Sequence, residues 1–123
     1  MRRAIIASLA FATLIGTPAA AQMRDDPYAQ RAIMSRDFVQ AERQLRAEAR
    51  IHPDRPEVLL NLAAVMAQTG RTDEARTLYD RVLADEDVSM RLTGERVAPS
   101  HGVARAGLAR LGSTAFDTQM ATR

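Results

Sequence analysis

One apolar run constrains this chain more than any other feature of its sequence. Nine of the ten residues 58–67 are apolar, and Asn61 is the polar exception. Pro56 lies just before the run and Gly70 just after it, as is typical of the first turn of a helix and of the residue beyond its end. The run therefore predicts a helix over residues 56–68 that is buried on most sides, and other helices of the chain must cover it.

The N-terminus has the pattern of a secretory signal. Arg2 and Arg3 precede a twelve-residue apolar segment, and small residues follow at Ala19 and Ala21. A membrane span needs about 20 apolar residues, so this segment is too short to be one. We expect residues 1–21 to be a signal peptide cleaved after Ala21, which predicts an exported, periplasmic protein without membrane insertion after cleavage.

The charge balance and the cysteine content limit the kinds of partner and of fold that we expect. The chain has 17 basic and 15 acidic residues, but Arg2 and Arg3 leave with the signal, so 15 basic residues face 15 acidic ones in the mature chain. This balance indicates no nucleic-acid partner. There is no cysteine, so one small domain must be held by its apolar core without disulfides.

Apolar spacing and capping residues predict five helices. They cover about residues 26–34, 37–51, 56–68, 72–85 and 101–111, with Asp26, Thr72 and Ser100 as caps of the first, fourth and fifth. The second helix is predicted to bury Phe38, Ala41, Leu45 and Ala49 and to place Glu42, Arg43, Arg46 and Arg50 in solvent. The expected fold is all-α.

Residues 88–97 interrupt the helical spacing. Val88, Met90 and Leu92 alternate with polar residues up to Gly94, which predicts a short β-hairpin before the last helix. Gly112 is predicted to end that helix. We therefore expect a helical domain over residues 22–112 and a flexible tail over 113–123.

The helices repeat with a period of 34 residues. A shift by that period superimposes similar residues in four pairs: Tyr28 with Leu62, Ala29 with Ala63, Ala41 with Ala75, and Leu45 with Tyr79. Together with Leu59, Leu62, Met66, Gly70 and Val82, this pattern resembles the tetratricopeptide repeat. The resemblance implies antiparallel helix pairs stacked as a solenoid, with no catalytic activity and no cofactor, that bind another protein or a peptide. A third copy is not in register, so either the fifth helix caps the stack or two molecules cap each other as a homo-oligomer.

The buried helix also carries the predicted binding face. In the family, an asparagine at the position of Asn61 holds the backbone of a bound peptide, and helical spacing gives Asn61 the neighbours Glu57, Leu60, Ala64 and Gln68 on that face. Asn61 has a second interpretation as a structural bridge to another helix, because a buried amide needs hydrogen bonds. The small side chains at Ala64 and Ala67 leave room for a ligand and favour the groove.

Two other motifs suggest chemistry. His52-Pro53-Asp54 lies between two helices and resembles the J-domain loop that stimulates Hsp70 chaperones, although Asp54 with Glu57 also predicts a capping box and a periplasm lacks ATP. Ser100-His101 suggests a hydrolase nucleophile and base, but sequence neighbours seldom face each other and no orienting acid is evident. With two histidines and no cysteine, the sequence gives no metal-ligand spacing.

Overall fold

A computed structural model describes residues 26, 28–92 and 94–122. In that part of the chain there are five helices and one two-stranded antiparallel sheet. In chain order they are α1 (Gln30–Met34), α2 (Phe38–Ile51), α3 (Pro56–Gln68), α4 (Thr72–Ala84), β1 (Ser89–Arg91), β2 (Val97–Pro99) and α5 (Ser100–Ala121). The predicted helical fold with a hairpin before the last helix is confirmed. The predicted signal peptide, residues 1–21, lies outside the described residues.

Helix α3 is the centre of the core. It packs on α2, α4 and α5, and seven of its 13 residues are buried: Val58, Leu59, Leu60, Leu62, Ala63, Val65 and Met66. Gly70 closes the helix with a positive φ of 78°. The amide of Gly70 donates to the Ala67 carbonyl and the amide of Arg71 donates to the Met66 carbonyl, which is a Schellman motif.

The start of α3 differs from the prediction. Arg55 is the N-cap residue and no side chain caps the helix, so the predicted capping box of Asp54 and Glu57 is wrong. Pro56 occupies the first helical position as expected. A proline there has no amide hydrogen to satisfy, and its fixed φ suits the first turn.

The 34-residue period has a structural equivalent in burial. Ala29 and Ala63 are both fully buried, as are Ala41 and Ala75, and Leu45 and Tyr79 occupy matching core positions. Small residues at the first two pairs allow neighbouring helices to approach closely. The two units are thus α1 with α2 and α3 with α4, although α1 is much shorter than α3.

The short α1 begins later than predicted. Ala29, not Asp26, is the N-cap, and it has a left-handed φ of 52°. The Asp26 carboxylate nevertheless accepts hydrogen bonds from the amides of Gln30 and Arg31, each at 2.9 Å. Asp26 therefore satisfies the helix start from outside it. The sequence also predicts Pro27 at the first position of this helix, and that residue lies outside the described ones.

A network of four charged side chains joins α2 to the start of α4. Glu42 contacts Arg46 at 2.7 Å and Arg71 at 2.8 Å. Glu74 contacts the same two arginines, at 3.1 Å from Arg46 and 2.8 Å from Arg71. Glu42 and Arg46 are half-buried, so their predicted placement in solvent is wrong. Arg71 and Glu74 lie about 30 residues after Glu42 and Arg46 in the chain, so only the fold brings the four side chains together.

The hairpin positions α5. Met90 pairs with Ala98 across the sheet, and its side chain is buried in the core. The predicted N-caps of α4 and α5 are wrong by one residue. Pro99 is the N-cap of α5 and Ser100 its first residue, and Arg71, not Thr72, is the N-cap of α4. The helix continues through Gly112 to Ala121, so the predicted end at Gly112 is wrong. Flexibility after residue 112 stays a prediction about motion in solution.

Candidate functional site

The predicted binding face of α3 is divided in two by α5. Ala64 and Gln68 line an open cleft between α3, α4 and the second half of α5. Glu57, Leu60 and Asn61 line a separate, smaller cavity beside the hairpin and the first half of α5. The structure therefore does not bring the five predicted residues into one continuous groove.

The open cleft has a volume of about 760 Å³. Helix α3 contributes Ala64, Ala67 and Gln68, and α4 contributes Thr72 and Tyr79. Most of the opposite wall consists of small, hydroxyl-bearing or amide side chains. From α5 it comprises Gly107, Arg110, Leu111, Ser113, Thr114, Ala115, Asp117, Thr118 and Gln119, and Thr122 follows just after the helix. Both walls thus offer polar groups that can hydrogen-bond to a ligand, and Ala64 and Ala67 leave open space beside α3.

The ring of Tyr79 in α4 lies directly against Gly107 in α5. A Cβ atom built on Gly107 would overlap the Tyr79 ring, so only glycine allows α5 to pack at this distance. Burial raises the pKa of Tyr79, while the charge of Arg110 opposes that shift. The phenol is therefore neutral at physiological pH. Its hydroxyl makes no hydrogen bond to another described residue and can donate one into the cleft.

Asn61 has a partner within the molecule. Its amide Nδ2 donates to the Tyr28 carbonyl at 3.0 Å, which ties α3 to the segment before α1. The surrounding cavity is only about 90 Å³ and is shared with Met90 and Val103. This contact is a structural bridge of the kind that the second interpretation described, although its acceptor precedes α1 and does not belong to another helix. A ligand contact by Asn61 remains a prediction.

Ser100 and His101 are held apart by their partners. The Ser100 hydroxyl is fully buried, accepts from the Val88 amide at 3.0 Å and donates to Asp87 at 3.2 Å. The His101 ring nitrogen Nε2 lies 2.8 Å from the Asp85 carbonyl. A base must reach its nucleophile and a nucleophile must reach its substrate, and this arrangement allows neither.

Asp87 caps the start of α5, and this role accounts for its contacts with Ser100 and His101. Its carboxylate accepts from the His101 amide at 2.9 Å as well as from Ser100, at the N-terminal end of α5. The hydrogen bond from the His101 amide lowers the pKa of Asp87, and that from Ser100 adds to this effect. A negative charge at this helix end is favourable. The local sequence gives no sign of this cap, because Asp87 lies thirteen residues before Ser100, across the hairpin.

His52, Pro53 and Asp54 form the turn between α2 and α3. His52 follows the last residue of α2, and the Pro53 carbonyl accepts a hydrogen bond from Arg81 of α4 at 3.1 Å. Asp54 is exposed and caps nothing. The turn is therefore a connection between two repeat units, fastened to the second unit by Arg81.

Over residues 26, 28–92 and 94–122, none of the helices combines the length and the hydropathy of a membrane span. In the same part of the chain, no three His, Asp or Glu residues cluster in a way that could hold a metal ion.

Comparison with known proteins identifies the repeat. A family model described as tetratricopeptide repeat matches residues 32–89, from the middle of α1 to the first residue of β1. Comparisons with curated proteins and with solved structures give no significant match. The matched residues include both buried alanine positions of the second helices and the glycine turn after α3. This match shows that residues 32–89 belong to the tetratricopeptide repeat family.

Proposed function

We propose that the chain is an exported, non-catalytic scaffold of the cell envelope that binds a peptide or a segment of another protein in the cleft between α3, α4 and α5. Tetratricopeptide repeats form protein–protein interaction scaffolds whose stacked helices make concave binding surfaces. The observation that carries the proposal is this open cleft, which lies on the face of α3 that holds Ala64 and Gln68.

The chemistry of the cleft suits a polypeptide backbone. Ala64 and Ala67 leave space next to α3, while Thr114 and Thr118 of α5 present hydroxyl groups from the opposite wall. Hydroxyl and amide side chains can both donate and accept hydrogen bonds, as a peptide backbone requires. Arg110 and Asp117 supply one charge of each sign. The cleft therefore suits an extended peptide better than a strongly charged ligand.

Export is supported by the sequence pattern of residues 1–21. Mass spectrometry of the protein from an envelope fraction should give a mature chain that begins at Gln22. Export also argues against the J-domain alternative, since Hsp70 and ATP are in the cytoplasm. Recovery of the chain with Met1 intact from the cytoplasm would contradict the proposal.

Blocking the cleft tests the binding role. Thr118→Trp should fill the cleft from an exposed position of α5 without altering the core. Met120→Trp is the matched control, because Met120 is exposed on α5 and does not line the cleft. Peptides selected from a random library for binding to the wild-type protein should lose affinity for Thr118→Trp and keep it for Met120→Trp, as measured by fluorescence anisotropy. Equal affinity for all three proteins would place the binding surface elsewhere.

A further inference from the structure

A second surface depression lies away from the cleft, at the start of α3 and the end of α4. Its floor is apolar and includes Leu59 and Val82, and its volume is about 320 Å³. Val88, from the segment before β1, also lines it and remains partly exposed. We call this depression the acidic groove because of its rim, which is described next.

Three carboxylates surround the acidic groove: Asp54, Asp85 and Glu86. All three are exposed, and none forms an ion pair with a described residue. Asp85 and Glu86 also follow the C-terminal end of α4, where the helix dipole makes negative charge unfavourable. Helix stability therefore does not explain these acidic residues, and carboxylates without an ion pair to a described residue favour a cationic partner.

The same chain carries a surface of the opposite character on α2. Val39, Arg43, Ala47 and Arg50 follow helical spacing on one face, and we call this face the outer stripe. Val39 is 73% exposed, although valine is usually buried. Neither Arg43 nor Arg50 has an ion-pair partner among the described residues, because Glu42 and Glu48 of the same helix are paired with other arginines.

The two surfaces are complementary in charge and in apolar character. The outer stripe presents an exposed aliphatic side chain beside two guanidinium groups, and the acidic groove presents an apolar floor beneath three carboxylates; none of these five groups forms an ion pair with a described residue. No residue that lines the acidic groove comes from α2, so the stripe can only meet the groove of another molecule. We propose that the outer stripe of one copy docks into the acidic groove of a second copy.

Such contacts are heterologous. A molecule whose stripe is docked still has a free groove, so copies add head to tail unless the rotation between them closes a ring. The contact uses neither the cleft nor its walls, and it therefore does not depend on the proposed peptide binding. Its charged part should weaken as salt rises, because ions screen exposed charges.

Paired charge reversals test the proposal. The first variant carries Arg43→Glu and Arg50→Glu, and the second carries Asp85→Arg and Glu86→Arg. Each change is at an exposed position outside the core. Sedimentation velocity over a range of concentrations, in about 20 mM and about 0.5 M salt, would measure self-association. A variant with Arg76→Glu and Arg91→Glu is the matched control, because both arginines are exposed and outside the two surfaces.

The wild-type and control proteins should associate reversibly at low salt, and each reversal should weaken association more than about tenfold, because it opposes like charges. An equimolar mixture of the two variants should associate again, since the reversed stripe meets the reversed groove. Three results would overturn the proposal: a wild-type protein that stays monomeric at low salt, a mixture that stays monomeric, or a control that dissociates as much as the variants. Library-peptide affinity for the cleft should be the same in all of them, which separates this test from that of the proposed function.

Discussion

Helices α3 and α5 line the same cleft, but the rest of the molecule holds them to very different degrees. Helix α3 buries seven of its 13 residues, whereas α5 buries only four of its 22, all between Ser100 and Leu111. Beyond Gly112, α5 exposes even its large apolar side chains, Phe116 and Met120. One wall of the cleft is thus part of the core, and much of the other wall is a helix with few tertiary contacts.

This difference has a functional consequence. The buried wall keeps a fixed position, while the exposed half of α5 can adjust to a ligand at little cost in packing. Regions with few buried apolar contacts are the ones that open most easily. We therefore expect ligand binding to order the end of α5 more than it changes α3.

The largest expected difference between the two helices is the stability lost when one large side chain in each is truncated to alanine. Leu59 in α3 is 1% exposed, and Phe116 in α5 is 70% exposed. Leu59→Ala should lower the free energy of unfolding by about 2–5 kcal/mol, because it removes buried methyl groups and leaves a cavity. Phe116→Ala should change it by less than about 0.5 kcal/mol. Urea denaturation followed by circular dichroism measures both, and equal losses would mean that the end of α5 is packed as firmly as α3.

Two glycines of α5 sharpen the comparison within one helix. Gly107→Ala should destabilise the protein by about 1–3 kcal/mol, because the new Cβ overlaps the Tyr79 ring and forces α5 away from α4. Gly112→Ala meets no atom within 4 Å and should stabilise the helix by about 0.5–1 kcal/mol. Thermal melts with tyrosine fluorescence would follow both variants. The contact between α4 and α5 would be looser than described if both substitutions proved stabilising.

The sequence predicted the well-packed part of the molecule better than the exposed part. The apolar run predicted the bounds of α3, because a buried helix must have a nearly continuous apolar surface. The end of α5 has no such pattern, and Gly112 looked like a stop signal although it lies in mid-helix. Periodicity reports burial, so it could not reveal a helix that is hardly buried.

Long-range polar contacts were also beyond sequence reasoning. The spacing of Glu42 and Arg46 indicates an ion pair within α2, but nothing local indicates that Arg71 joins them. In the same way, Asp87 caps α5 across the hairpin, whereas the residues next to the helix start indicate Ser100 as the cap. For the candidate site, the sequence predicted the face of α3 but not that α5 divides it into a cleft and a small cavity.

The pH dependence of the free energy of unfolding tests the charge network between α2 and α4, on the well-packed side of the molecule. The hydrogen bond from Arg46 lowers the pKa of Glu42 below its ordinary value of 4.5, and Arg71 adds to this effect. Because the folded state has the lower pKa, the stabilisation is fully present above pH 4.5 and is lost as the pH falls through the folded value.

Glu42→Gln should therefore reduce the free energy of unfolding by about 1 kcal/mol at pH 7, and by less as the pH falls through the folded pKa of Glu42, where the wild-type carboxylate takes up a proton. Asp80→Asn is the matched control, since Asp80 is exposed and forms no ion pair with a described residue. Urea denaturation at a series of pH values from 7 downwards measures the difference. A loss that is the same at every pH would show that Glu42 contributes packing and not charge.

The smallest expected effect concerns Asn61, and it decides which part of the α3 face meets a ligand. Asn61→Ala removes a hydrogen bond to the Tyr28 carbonyl, at a cost of about 0.5–1.5 kcal/mol. Alanine has the higher helix propensity, which offsets about 0.6 kcal/mol of that loss. The net loss should be under about 1 kcal/mol.

Gln68→Ala is the matched removal of an amide, from an exposed residue that lines the open cleft. If the cleft binds the peptide and Asn61 is a bridge, Gln68→Ala should weaken peptide binding at unchanged stability, whereas Asn61→Ala should slightly lower the melting temperature and leave binding intact. The opposite pattern, with binding lost only in Asn61→Ala, would move the ligand to the small cavity beside Tyr28 and require the first half of α5 to move away from α3.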